Sequence, residues 1–370
     1  MAKGKGSKLD QETSEKLKKL GERVVRAIQK GQNPGIDIPI RALSNVKFNP
    51  KTQTIEMGKD TQERNFFNTS MARKFMQTLL VASNVKDELL TSGKTTSIRD
   101  LYYMAKHTVK GTHENTFEEQ DESDPIIEDL EVSVDALREE LHLFASNKGA
   151  MVGDMTLVDQ GDTIDLRRMG SGGWSIPSIV EASVIQFRKC DAKFILHVEK
   201  DAMWRRLNED KFWQRHHCVL LHGQGQPPRG VRRLLHRMVE ELKLPLYVFV
   251  DNDPWGYYIY SVIKQGSINL AYESRRMAVP SARFIGLSSF DREAYRLPDN
   301  VTMRLNDEDT GRAKQLLQYD WFQKKTWQRE IRNMLHCGVK LELEALSKKA
   351  ISFATDEYLP RKLKDKDWLD

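Results

Sequence analysis

The residues best suited by type and spacing to do chemistry are a tyrosine pair, Tyr102 and Tyr103, and three carboxylates, Glu199, Asp251 and Asp253. The tyrosines lie in the run TTSIRDLYYMAKH at residues 95–107. Ser97, with Asp100 three residues on, has the form of a capping box, Asp standing in for the usual Glu. At about 100° per residue, Ile98, Leu101, Tyr102 and Ala105 fall on one face, the expected core side. Tyr103 falls off that face, on the side of Arg99, Lys106 and Lys110. Tyr102 therefore reads as structural and Tyr103 as presented. An unperturbed phenol ionises at about pH 10; neighbouring cations favour the phenolate and can also hold backbone phosphates. The chemistry suggested is attack on a phosphodiester. An amphipathic surface helix that merely exposes a tyrosine is the plainer reading of this segment taken alone.

The carboxylates close two apolar runs. Phe194–Val198 is followed by Glu199, and residues 246–250 are followed by Asp251-Asn252-Asp253. Both runs read as buried strands. In open α/β sheets, ligands collect beyond the carboxyl ends of the strands, and a glutamate beside a D-x-D pair makes a hard, all-oxygen site suited to magnesium. Acidic residues at strand ends are also ordinary loop formers, so the set of three is more specific than any one of them. Between the two runs, His222-Gly223-Gln224-Gly225-Gln226-Pro227 follows a third apolar strand and precedes a helix bearing Arg229, Arg232 and Arg233. A glycine-rich turn at a helix N-terminus can face an anion, or be no more than a tight turn. Arg99, Lys106 and Arg232 are the candidates to position a nucleic-acid backbone.

These residues need a scaffold, and 370 residues predict two or three domains. Charged residues make up 30% of the chain, and no apolar stretch approaches a membrane span. Three widely separated cysteines suggest neither a disulfide framework nor a paired-thiolate metal site, and so point to a reducing, cytoplasmic setting. The net charge of +5 permits nucleic-acid binding without demonstrating it. Its distribution says more: lysines crowd the N-terminus, whereas residues 114–140 are strongly acidic with Arg138 the only Lys or Arg. Basic faces must therefore be local. The chain has no G-x-x-x-x-G-K-[ST] phosphate loop and no G-x-S-x-G nucleophile elbow.

We read residues 1–68 as an N-terminal arm with a basic tail and a helix over 14–30. Residues 69–172 read as a winged-helix domain. Asp124-Pro125 starts one helix, Ser133 caps a second bearing Leu137, Leu141 and Phe144, and a hairpin with its tip at 159–162 forms the wing. A small helical domain that binds a protein is the alternative. Ser171-Gly172-Gly173 reads as the linker to residues 173–370, where apolar strands alternate with helices in the manner of a parallel sheet.

In this order the motifs form a resemblance. Arg99-Asp100-Leu101-Tyr102-Tyr103 is similar to the active-site segment of topoisomerase VI A subunits and of the related meiotic double-strand-break transesterases. Residues 197–202 (HVEKDA), 223–227 (GQGQP) and 250–256 (VDNDPWG) resemble the toprim half of that family. The likeness continues through 305–309, 342–346 and 358–360 and covers most of the chain from about residue 35. The resemblance implies an α/β multidomain fold, a winged-helix (CAP-like) domain followed by a toprim domain with a Rossmann-like, mainly parallel sheet. It implies that Tyr103 attacks duplex DNA to form a 5′-phosphotyrosyl link, and that Mg2+ is held by Glu199, Asp251 and Asp253. It further implies a homodimer in which the tyrosine of one protomer works beside the metal site of the other. The resemblance also implies a GHKL-type ATPase B subunit that binds the ATP used for strand passage, giving an A2B2 heterotetramer. Gln224, where many relatives carry lysine, and Pro227-Pro228 depart from the pattern and bear on how that loop meets DNA. A transesterase that breaks DNA without relaxing it, and a DNA-binding protein that has only inherited the fold, are the competing readings. The compact chain favours the topoisomerase and an archaeal source.

Overall fold

The computed structural model describes residues 8–370, so the most N-terminal lysines of the basic tail, Lys3 and Lys5, lie outside the described residues. The chain divides into two compact units. One comprises the described residues up to Val46 together with Met57–Ser146, and the other comprises Lys47–Glu56 together with Asn147–Asp370.

The first unit opens with helix α1 (Lys8–Gln29), which begins earlier than the expected residue 14 and buries Leu17, Leu20 and Val24 at helical spacing. Strand β1 (Gly35–Pro39) follows. Next comes the hairpin β2 (Val46–Asn49) and β3 (Thr54–Met57), whose residues Lys47–Glu56 belong to the second unit. Strand β4 (Thr61–Asn65) returns to pair antiparallel with β1. Helices α2 (Thr69–Asn84), α3 (Ile98–Ala105) and α4 (Ser123–Val134) enclose a core that includes Ile36, Phe75, Val85, Leu101, Phe117, Ile127 and Leu130. Asn68 caps α2 by accepting from the Ser70 amide at 3.1 Å. Two short strands, β5 (Thr96–Ser97) and β6 (Leu143–Phe144), run parallel and bring the start of α3 beside the end of the unit.

The helix expected after Ser133 does not form. Asp135 takes a left-handed conformation, a single 3-10 turn covers Arg138–Leu141, and Leu143–Phe144 is strand. Ser133 is not a cap but the penultimate residue of α4, its hydroxyl donating back to the Asp129 carbonyl at 2.7 Å. Leu137 and Leu141 are buried all the same and Phe144 is half-buried, so an apolar spacing that resembles a helix is produced here by a turn and a strand.

In the second unit, β7 (Ala150–Gly153) is followed by β8 (Met155–Asp159), β9 (Asp162–Asp165), β10 (Trp174–Ser175), β11 (Ile185–Cys190) and β12 (Phe194–Val198). The hairpin β8–β9 forms with its tip as expected and is joined by β11 into a three-stranded sheet. It belongs to this unit, however, and not with the helices of the first. The reason lies in β7, which pairs antiparallel with a central strand of the large sheet, and in β10, which pairs with β7. Ser171-Gly172-Gly173 is accordingly a turn inside hydrogen-bonded structure, and the unit boundary falls at Ser146/Asn147 instead.

The large sheet has the order β10-β7-β13-β12-β14-β15, completed by β13 (Cys218–His222), β14 (Leu246–Phe249) and β15 (Arg283–Gly286). Its last four strands are parallel. Helices α5 (Asp201–Glu209), α6 (Phe212–His216), α7 (Arg229–Leu242) and α8 (Pro254–Gln265) make the crossovers. All five residues of β12 and of β13 are buried, as strands covered on both faces require. Among the described residues, no helix is long and apolar enough to cross a membrane.

Candidate active site

Helix α3 presents Tyr103. Ser97 accepts from the Asp100 amide at 3.0 Å and donates to the Asp100 carboxylate at 2.8 Å, which fixes the first turn. Leu101 and Ala105 are fully buried and Tyr102 is 6% exposed, whereas Tyr103 is 59% exposed. The two rings meet edge-on with centroids 5.0 Å apart. Tyr102 is tied down at its far end: its hydroxyl donates to the Glu118 carbonyl at 2.8 Å and accepts from the Lys106 ammonium at 2.8 Å.

Lys106, expected beside Tyr103, is thereby committed to the Tyr102 side, where it also donates to the Glu118 carbonyl at 2.7 Å. The helix ends at Ala105, so its angular spacing no longer governs residue 106. The pKa of Lys106 is raised, first by the hydrogen bond to Tyr102. Arg99 and Lys110 are exposed. Arg232 is not a surface contact at all. It is 4% exposed and pairs at 2.6 Å with Glu273, which Arg229 also meets at 2.6 Å. Helix α7 turns these two arginines inward, against a fully buried carboxylate.

The carboxylates sit at the ends of adjacent strands, Glu199 after β12 and Asp251 after β14. Glu199 Oε2 accepts from the Asp251 amide at 3.0 Å, and Asp251 Oδ1 accepts from the Leu343 amide at 2.8 Å. Asp253 caps α8 by accepting from the Gly256 amide at 2.6 Å, with Pro254 at the helix start. Gly225 donates its amide to the Glu199 carbonyl at 3.0 Å, so the glycine-rich loop lies against the same turn. Burial, and then the neighbouring Asp251 charge, push Glu199 up to about 8. Burial also raises Asp251 to about 6 and lifts Asp253 above the usual range. Carboxylates buried together in this way have much to gain from a cation.

Of the three, Asp251 meets a cation directly: the Lys200 ammonium lies 3.0 Å from it, 2.8 Å from Glu342 and 3.1 Å from Glu344. Burial disfavours its charge, but hydrogen bonds to Glu342 and Asp251 outweigh that and raise its pKa. Among the described residues, no three His, Cys, Asp or Glu side chains form a ready-made metal cage. The donor set nevertheless fits magnesium, which commonly takes one or two carboxylates and fills its remaining positions with water and substrate phosphate.

The motifs alone gave no role to Lys200, Gly256 or Glu330. Lys200 was in plain view beside Glu199. Gly256 has a Cβ position only 2.4 Å from the Asp251 carbonyl oxygen, a close approach that only glycine permits. Glu330 was signalled by a lone carboxylate inside the apolar stripe Trp327, Ile331 and Met334.

Carboxylates gathered at the ends of parallel strands in the second unit and a tyrosine presented to solvent in the first are the candidate chemical groups. Three family profiles match in sequence. That of type IIB DNA topoisomerase covers residues 73–143, and that of the all-beta domain in the DNA topoisomerase VI alpha subunit covers 147–191. That of the Toprim domain shared by topoisomerase 6 A subunits and Spo11 covers 194–363. The chain is 44% identical to the A subunit of type 2 DNA topoisomerase 6 from Pyrococcus horikoshii, over 96% of this chain and 94% of that one. It is 41% identical to the protein of the same name from Hyperthermus butylicus, with the same two coverages. With the A subunit of DNA topoisomerase 6 from Arabidopsis thaliana it shares 33% identity over 94% of this chain and 79% of the relative. The chain belongs to the topoisomerase VI A-subunit family and is part of a type IIB DNA topoisomerase.

Proposed function

We propose that this chain cuts duplex DNA with Tyr103 as nucleophile, next to magnesium held by Glu199, Asp251 and Asp253. The observation that carries the reading is the division of labour on α3: Tyr102 is locked into the core by its hydroxyl, and Tyr103 stands in solvent. The phenolic oxygen attacks phosphorus, a 5′-phosphotyrosyl bond forms, and the 3′ oxygen leaves and takes up a proton. The tyrosine's own proton passes to solvent or a nearby base. When bound, magnesium would neutralise phosphate charge and stabilise the leaving oxygen. Asp251 and Glu199 are held for that task by backbone amides, and Asp253 by the start of α8. Because the link conserves the energy of the broken bond, resealing is the reverse attack by the 3′-hydroxyl and needs no ATP.

In this proposal the first unit, which carries Tyr103 on α3, serves as the cleavage domain, the part that the resemblance assigns to a winged-helix (CAP-like) domain. Two copies of the chain pair so that the tyrosine of one serves the carboxylates of the other. A separate GHKL-type B subunit supplies ATP-driven strand passage in an A2B2 assembly. The relatives' names make each of them one lettered component of a larger enzyme, which supports a partner of this kind.

The test is to trap protein-linked DNA. The chain, a matching B subunit, supercoiled plasmid, magnesium and a non-hydrolysable ATP analogue are mixed and quenched with detergent. Wild type is expected to give linear plasmid with protein on its 5′ ends, and Tyr103→Phe to give none while still binding DNA. Linked DNA from both would remove Tyr103 from the role. Linked DNA from neither, despite tight binding, would favour a DNA-binding protein of inherited fold.

A further inference from the structure

Glu330, on the helix Lys325–Cys337, is a carboxylate with 1% exposure. Among the described residues no cation pairs with it, so its burial must be justified by hydrogen bonds. Oε1 accepts from the Tyr257 hydroxyl at 2.6 Å and from the Ser289 amide. Oε2 accepts from the Ser288 hydroxyl at 2.8 Å. Tyr257, fully buried on α8, is held edge-on against Trp327 and Phe284. With its proton committed to Glu330, the phenol oxygen turns its lone pairs to the Asn252 side-chain amide, which donates to it at 2.5 Å.

Asn252 is the middle residue of the Asp251-Asn252-Asp253 turn and is itself 2% exposed. Its backbone is clamped as well: its amide donates to the Leu341 carbonyl at 2.9 Å, and the Leu341 amide returns a bond at 3.1 Å. The turn is therefore gripped by Leu341 through the Asn252 backbone and by the Leu343 amide through the Asp251 carboxylate, and a hydrogen-bond relay holds its one side chain that is not a carboxylate.

We propose that Glu330 is a positioning residue: through Tyr257 it locks Asn252 and so aims the Asp251 and Asp253 carboxylates at a shared cation. This rests on the metal-site reading above. Residues that orient metal ligands in this manner typically change metal affinity by about 10- to 100-fold when altered.

The experiment is a Mn2+ titration of the full chain, read as loss of the free-ion signal by electron paramagnetic resonance, with melting temperature and DNA binding measured on the same samples. Tyr257→Phe keeps the ring and its packing but cuts the relay, and Glu330→Gln keeps the shape but weakens it. Both are expected to raise the Mn2+ Kd about tenfold while DNA binding holds. Ser288→Ala, which removes a bond to the other oxygen of Glu330, is expected to leave the Kd unchanged. An unchanged Kd in Tyr257→Phe, or an equal shift in Ser288→Ala, would overturn the relay. Asp253→Asn separates the two failures. If it binds Mn2+ as wild type does, the metal-site reading itself is wrong; if it loses binding while Tyr257→Phe does not, only the relay is wrong.

Discussion

Tyr102→Phe and Tyr103→Phe remove the same atom from neighbouring residues, and their effects are expected to be opposite in kind. At Tyr102 the lost hydroxyl takes with it a 2.8 Å bond to the Glu118 carbonyl and a 2.8 Å bond from Lys106. The bond to the Glu118 carbonyl is worth about 1 kcal/mol net, and the Lys106 ammonium is left to pair with water and the Glu118 carbonyl. The Glu118 carbonyl still receives Lys106 at 2.7 Å, so no buried acceptor is orphaned. The expected loss is therefore about 1–2 kcal/mol, with cleavage reduced but present. The Tyr103 hydroxyl sits on a side chain that is 59% exposed, where substitutions usually fall within about 0.5 kcal/mol. The assay is a pair of urea unfolding curves for each variant, followed by the covalent-complex assay on the same preparations. A Tyr103→Phe protein as destabilised as Tyr102→Phe, or a Tyr102→Phe protein as inactive as Tyr103→Phe at concentrations where both are folded, would refute the assignment of roles on α3.

Three other outcomes follow from the same geometry. Arg232→Ala should destabilise the protein by about 3 kcal/mol, at the low end for a broken buried pair because Arg229 still faces Glu273; the slope of DNA affinity against salt should not change, and a shallower slope would return Arg232 to the DNA surface. Gly256→Ala drives a methyl into the Asp251 carbonyl and should cost about 1–3 kcal/mol, with the Mg2+ needed for half-maximal cleavage rising in parallel; a stable variant of normal Mg2+ dependence would deny the close approach. Burial raises the Glu181 pKa, but hydrogen bonds from Arg233 and the nearby Arg237 and Arg276 charges overcome this and leave it below its ordinary value of 4.5. Its contribution to stability is thus present above about pH 4.5 and is lost as the pH falls through the lower folded value. Glu181→Gln should flatten the acid limb of a melting-temperature profile in that window, and identical limbs would contradict the pairing.

The site was legible where side-chain type and local periodicity determine structure. The facing of α3 followed from the positions of Leu101, Tyr102 and Ala105, and the strands before Glu199 and Asp251 from unbroken apolar runs. Legibility failed where partners are distant in sequence. The apolar positions 137, 141 and 144 have helical spacing, yet a left-handed Asp135 and the pairing of Leu143 with Thr96 make a turn and a strand. The polar run 171–173 looked like a linker because the strand it leads into, β10, pairs with β7, and β7 with β13, in a sheet whose order local sequence does not state. Arg232 and Lys106 looked like free cations for the same reason: Glu273 lies 41 residues from the first, and the Glu118 carbonyl 12 from the second.

The small hairpin β2–β3 has a consequence for how such a protein can change over evolutionary time. Lys47–Glu56 is an excursion of the N-terminal part of the chain into the second unit, where Phe48 packs on Trp321 with ring centroids 6.3 Å apart and Glu56 meets Arg275 at 3.3 Å. The backbone therefore passes between the units at three places, after Val46, after Glu56 and after Ser146. A single cut and splice cannot exchange one unit for a homologous one, since any contiguous cassette carries a piece of the other or leaves one behind. The tyrosine-bearing and carboxylate-bearing halves are thereby bound to be inherited together, and genetic recombination must treat the pair as one heritable block.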